Sequence, residues 1–431
     1  MWNQIRSFLF WLHKPDHVAQ FQRYFGILPT SMCKSDPISK HNENDLNQNQ
    51  NNKSINDDNK KSHIPNGLFH PHHERKITYD TNVLDECIEE IKHSTNQNTN
   101  KKNISSEIDY KVTSWFWYYF FQIGSALGNE IFYILFFPTW IWNVDGCVAR
   151  KVSILWVYFM YIGQATKDIL GMPRPSSPPV LQLEKRYIRE YGFPSTHAMF
   201  AMGIPLSLVL LSHQRYSFNI EIGLACATIV CIWVCLSRIY LGMHTFLVSG
   251  VAYALLLIYI MFPYVNIIDN FQVNFTLAPL LNFCLGIILI KCYPSVQEWS
   301  TARSDTTVIL GSTFGLLSAT TIMQKFGLLE RPLTPPVYSI IAPNLGYCVL
   351  RTIIGLLIIY ATRQIVKTIV LRLTSLIYGL DWKDPKIKRF AKVEMPYYYL
   401  TYFAIGFNIA FTCPLAFRAI GINRDYSYTE L

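Results

Sequence analysis

Three short stretches carry side chains suited to gripping a phosphate group. Lys167 and Arg174 stand in KDILGMPRP with six residues between them. Ser195, Thr196 and His197 stand in PSTHAM. Ser237, Arg238 and His244 stand in SRIYLGMH, with five residues between Arg238 and His244. Two arginines and a lysine offer fixed positive charge and many hydrogen-bond donors, a match for a tetrahedral dianion. Thr196 and His197 fall at the start of an apolar run, where the free backbone N–H groups of a new helix add to an anion site. Taken alone, each stretch has a plainer reading. Lys and Arg at the ends of apolar runs usually reach for lipid headgroups, and a single histidine there is more often interfacial than catalytic. All three together, in this order and spacing, are hard to obtain by chance.

Membrane helices must bring them together. The chain has 431 residues, 50% hydrophobic, 15% aromatic and only 16% charged, against about 25% charged in a soluble domain. From Trp115 onward, apolar runs recur that are each long enough to cross a ~30 Å hydrocarbon core. Runs at 114–141, 152–170, 197–213, 220–241, 244–264, 275–293, 305–325, 339–361 and 397–418 predict nine spans. The expected fold is an all-α polytopic membrane bundle. Counting crossings puts the end of the second span, the start of the third, the end of the fourth and the start of the fifth on one membrane face. The three stretches therefore converge. The first run is long enough for one tilted helix or two short ones. Arg363–Leu380 is apolar but carries Arg363, Lys367 and Arg372, which predicts a helix lying in the interface.

Residues 1–33 are expected to form an amphipathic interfacial segment, with Trp2, Phe8, Leu9 and Trp11 set against Arg6 and Lys14. Residues 34–113 are polar. Within 41–60 eight of twenty residues are Asn, and Leu46 and Ile55 are the only large aliphatics. So little apolar surface cannot offset the entropy of ordering, and this region is expected to be disordered. His63, His70, His72 and His73 offer metal ligands, but in a solvated tail a plain polar tract is the better account. The ten cysteines form no CxxC pair and sit mostly within apolar runs, where they read as small buried hydrophobes. A net charge of +9 suits anionic headgroups or an anionic substrate, but spread over so many spans it gives no case for nucleic acid.

KDILGMPRP, PSTH and SRIYLGMH resemble the three-part signature of the type 2 phosphatidic acid phosphatase (PAP2) superfamily. WIWNVDGCVARK, TKDILGMPRPSSPPV, FPSTHAM, CLSRIYLGMHT and EMPYYYLTYFAIGF are similar to one branch, the sphingosine-1-phosphate phosphatases, as is HVAQFQRYFGI. The resemblance implies a six-helix PAP2-like catalytic core over 114–293, with additional transmembrane helices over 294–431. It implies a phosphatase of sphingosine 1-phosphate and related sphingoid-base phosphates that uses no metal or other cofactor. His244 would attack phosphorus and His197 would act as general acid and base, while Lys167, Arg174, Ser195, Thr196 and Arg238 hold the phosphate oxygens. It also implies an endoplasmic reticulum membrane with a lumenal active site. The basic linker 383–392, by contrast, falls on the active face and would be cytosolic under the positive-inside rule, unless Arg363–Leu380 adds a crossing.

One position departs from the family pattern. Many members carry Asp four residues after the third-motif histidine, and here that residue is Val248, which would leave the tautomer of His244 unfixed unless Thr245 or Ser249 helps. Lys185, Arg186 and Arg189, between the first two motifs, are further candidates for the headgroup. A broader lipid- or sugar-phosphate phosphatase and a non-catalytic lipid-phosphate binder or transporter are the alternatives. No protein partner is indicated.

Overall fold

The computed structural model describes residues 14–29, 110–187, 190–245, 248–294, 301–329, 344–379 and 391–424. Residues 1–13 and 30–33 of the expected amphipathic segment, the Asn-rich stretch and its histidines lie outside them. A first helix, α1 (Pro15–Tyr24), opens with Pro in its first turn and buries Val18, Ala19 and Gln22. It leads into β1 (Ile27–Pro29), which pairs antiparallel with β2 (Tyr110–Val112), Ile27 opposite Val112. Residues 110–112 thus belong to the folded unit, not to the polar region that precedes them.

Every other regular element described is helical. In chain order come α2 (Trp115–Leu127), α3 (Glu130–Asn143), α4 (Gly146–Leu170), α5 (Thr196–His213), α6 (Ile220–Tyr240) and α7 (Val248–Asn274). They are followed by α8 (Ala278–Cys292), α9 (Thr301–Lys325), α10 (Leu345–Tyr378), α11 (Ala391–Ala410) and α12 (Thr412–Ile420). Among the described residues six helices are long and apolar enough to cross a membrane, or seven with the bent pair α2–α3 counted as one span. The first run, 114–141, is therefore two helices, bent by 62°. The nine expected spans are thus seven at most by length and composition among the described residues: α8 is a shorter apolar helix of 15 residues, and the 25-residue α4 lies outside that set.

Arg363–Leu380 does not form a separate interfacial helix. Arg363–Tyr378 continues α10, whose 34 residues make a rod about 50 Å long. Neither Pro nor Gly interrupts the chain from Leu356 to Tyr378, and the helix ends only at Gly379. The three cations ride on a helix that outreaches the hydrocarbon core, and the segment adds no crossing.

Polar contacts fix which helix ends share a face. Arg150 near the start of α4 pairs with Asp269 near the end of α7, and Arg351 early in α10 donates to Trp142 O and Ile422 O. At the other end, Tyr293 just after α8 donates to Asp168, and Thr301 at the start of α9 donates to Glu190. α9 is the most enclosed span, with 89% of its apolar window buried. Hydrophobicity does not drive helix association inside lipid, so close packing must do it. A Cβ on Gly315 would collide with Phe403 O, and one on Gly406 would collide with Ser312 O. α9 and α11 therefore touch backbone to backbone.

Candidate active site

The ends of α4, α5 and α6 deliver the three sequence stretches to one place. Lys167 lies in the last turn of α4, where its carbonyl accepts from Gly171 N–H and closes the helix. Ser195 caps α5, its Oγ accepting from Ala198 N–H at 3.4 Å. Arg238 lies in the last turn of α6, and Met243 N–H returns to Arg238 O at 3.1 Å. That return turn needs Gly242, which sits at φ +68° and whose Cβ would collide with Leu181 O. Gln22 of α1 ties the pieces together: its Nε2 donates to Leu181 O at 2.7 Å and Tyr240 O at 2.9 Å, and its Oε1 accepts from Leu181 N–H at 3.0 Å. His244 is thereby held against the loop that joins α4 to α5.

In this buried seat the cations meet two carboxylates. Lys167 Nζ lies 3.0 Å from Glu190 Oε2 and 3.4 Å from Thr196 Oγ1. Arg174 donates from Nε to Glu190 O at 2.8 Å and from Nη1 to Met243 O at 2.9 Å, with Nη2 3.9 Å from Glu190 Oε2. Arg238 Nη1 donates to Glu184 Oε2 at 2.5 Å and to Ser125 Oγ at 2.7 Å. Burial alone would raise the Glu190 carboxyl, but Lys167, a hydrogen bond from Thr301 and Arg174 outweigh it and hold it below its ordinary range. Burial and the neighbouring Arg238 push Arg174 down to about 10, so it stays charged at neutral pH.

His244 has a defined tautomer. Its Nδ1 lies 2.8 Å from Gly192 O, and a carbonyl can only accept, so the proton sits on Nδ1. Nε2 is left with its lone pair, 3.3 Å from Arg174 Nη1. Burial, then Arg174, Arg238, Lys167 and His197, push the imidazole well below its ordinary pKa and keep it neutral. The expectation that Val248 leaves this tautomer unfixed is overturned: a backbone carbonyl in the α4–α5 loop takes the orienting role usually given to a carboxylate.

His197 is buried on α5, its ring edge-on to Tyr187 at 5.5 Å, and its Nε2 has no hydrogen-bond partner among the described residues. The α2–α3 break supplies its wall: a Cβ on Gly128 would lie 2.8 Å from the His197 ring, and Asn129 Oδ1 accepts from Tyr187 OH at 2.9 Å. Of the loop cations, Arg186 pairs with Asp305 at 3.3 Å on the exposed rim. The side chains of Lys185 and Arg189 lie outside the described residues. Glu184, Glu190, Ser125, Tyr187, Thr301 and the Gly192 carbonyl were not picked out by the sequence patterns. Among the described residues no group of three or more His, Cys, Asp or Glu side chains could hold a metal ion.

The PAP2 superfamily model matches residues 150–268, a stretch that holds all three motifs. The chain is 40% identical over 320 residues to sphingosine-1-phosphate phosphatase 1 of Rattus norvegicus, covering 73% of this chain and 74% of the relative. The chain belongs to the sphingosine-1-phosphate phosphatase family. It is 37% identical over 320 residues to sphingosine-1-phosphate phosphatase 2 of Homo sapiens, covering 73% of this chain and 80% of that one. Lipid phosphate phosphatase delta of Arabidopsis thaliana is more distant, at 27% over 291 residues, with 63% and 69% covered. No solved structure matches the chain significantly. Within the family's frame, the ends of α4, α5 and α6 are where its three motifs meet.

Proposed function

We propose that this chain is a phosphoric monoester hydrolase that removes phosphate from sphingosine 1-phosphate and related sphingoid-base phosphates, through a phosphohistidine and without a metal. The observation that carries this is the neutral His244, proton pinned on Nδ1 by Gly192 O and Nε2 lone pair aimed among three cations. In the first step that lone pair bonds to phosphorus, the ester P–O bond breaks, and protonated His197 gives its proton to the leaving alkoxide. In the second, His197 takes a proton from water, the oxygen bonds to phosphorus, and the P–N bond returns its electrons to His244. Lys167, Arg174 and Arg238 face the equatorial oxygens as charge shifts, with Thr196 N–H and the Ser195 hydroxyl proton available to the same oxygens.

Family names support the substrate class. The printed activity of the relatives is sphingosine-1-phosphate phosphatase, and a site at the ends of membrane helices suits a lipid whose tail stays in the bilayer. The same resemblance supports an endoplasmic reticulum membrane with the motifs on its lumenal side. The test is phosphate release from sphingosine 1-phosphate by the purified chain in excess EDTA, with and without orthovanadate. Release that persists in EDTA and stops with vanadate is expected. Release abolished by EDTA and restored by a divalent metal contradicts the metal-free mechanism.

A further inference from the structure

The phosphatase reading leaves two acids without a task, and a role for them rests on that reading. Glu184 and Glu190 bind the very cations a phosphate would need, and each does so in the same way. One oxygen is anchored by a hydroxyl: Glu184 Oε1 accepts from Ser125 Oγ at 2.8 Å, and Glu190 Oε1 accepts from Thr301 Oγ1. The other oxygen faces cations: Glu184 Oε2 meets Arg238, and Glu190 Oε2 meets Lys167 and Arg174. When phosphate takes the cations, Ser125 and Thr301 still hold both carboxylates at the wall of the seat. Two Oε2 atoms are then released together.

Charge decides what they accept. Three cations against two carboxylates leave one net positive charge in a seat where the side chains of Lys167, Glu190, Arg174 and Arg238 are 5% exposed or less. With His197 protonated as the general acid, a phosphomonoester dianion leaves the seat neutral, but it draws the cations off Glu184 and Glu190 and leaves two buried carboxylate oxygens unpaired, which is costly out of water. The charged groups nearby do not replace those cations, since Arg186 pairs with Asp305 and Asp168 accepts from Tyr293. A headgroup that brings its own cation does. Sphingoid-base phosphates carry an ammonium on the carbon next to the one bearing the phosphate ester, whereas glycerol-based monoesters do not.

We propose that Glu184 and Glu190 form an ammonium subsite, so that the enzyme selects lipid phosphates with a free amine beside the ester. The test compares sphingosine 1-phosphate with the analogue whose amine is replaced by a hydroxyl, which keeps the phosphate and tail and loses the positive charge at nearly the same size, on the full chain in detergent. Wild type favours the amine in kcat/KM by about 100-fold. Glu184→Gln and Glu190→Gln each bring the ratio towards one, while inorganic phosphate still inhibits both variants. Equal kcat/KM for the two lipids on wild type overturns the subsite and needs no variant to fold. An unchanged preference in both variants overturns it as well. If wild type releases phosphate from neither lipid, the phosphatase reading itself fails, which is a different result from either of these.

Discussion

Both ends of the bundle bury charge, and they handle it differently. At the end away from the motifs, Arg150 meets Asp269 in a two-pronged pair at 2.6 and 2.9 Å. Asp145 there caps α4 and accepts from Arg215 and Tyr216, and Arg351 is spent on Trp142 O, Asn143 and Ile422 O. Every one of these charges has a partner on a fixed element, and the result locks helix to helix. At the motif end, about 25 Å along α4, three cations share two carboxylates. There, among the described residues, neither His197 Nε2 nor Arg238 Nε has a partner. Charge held by partners on fixed elements keeps the fold together. Charge left over, in a place where burial makes it costly, marks chemistry.

The contrast can be broken from either side. Replacing His244 by Ala should cut phosphate release on the order of 10⁴-fold, and replacing His197 by Ala about 10³-fold, both without loss of the folded protein in a thermal melt. Asp269→Asn should do the reverse. Leaving Arg150 buried without its partner costs about 3–5 kcal/mol of stability, while the protein that remains folded keeps the wild-type KM. A loss of turnover with unchanged stability in Asp269→Asn would erase the distinction between the two ends.

Acid titration gives the smallest effect. In the folded protein His244 binds a proton only well below the ordinary imidazole value near 6.5, whereas unfolded it binds one at that value. Its contribution to stability is thus complete above about pH 6.5 and is lost as pH falls towards the lowered value. The acid limb of kcat/KM should sit below 6.5 for the same reason, and a limb at or above 6.5 would contradict a neutral, buried nucleophile.

The cations and histidines were legible because an apolar background makes every ionisable residue conspicuous. Glu184 and Glu190 were not, because EKRYIRE reads as a solvated basic loop; only the fold tucks its two acids inward against Lys167 and Arg238. Val248 misled in the opposite direction. It shows that a side-chain orienter is missing, but no pattern in the residues reveals that the Gly192 carbonyl stands in its place. α9 looked like one of several extra spans, since Ser, Thr, Gly and Ala lower its hydropathy, yet those small residues let it pack centrally and bring Thr301 to the site. The long α10 was hidden for a related reason. Arg363, Lys367 and Arg372 look like the edge of a membrane, whereas a helix can carry its cations past that edge.

The central claim is that His244 Nε2 becomes covalently bonded to phosphorus. Sphingosine 1-phosphate labelled with ³²P, mixed with the purified chain and quenched in alkali during turnover, tests it directly. Protein-bound label should be stable to alkali, lost in acid, confined to the peptide containing His244 and absent from His244→Ala. Turnover with no protein-bound phosphate, or label that survives acid, would contradict it.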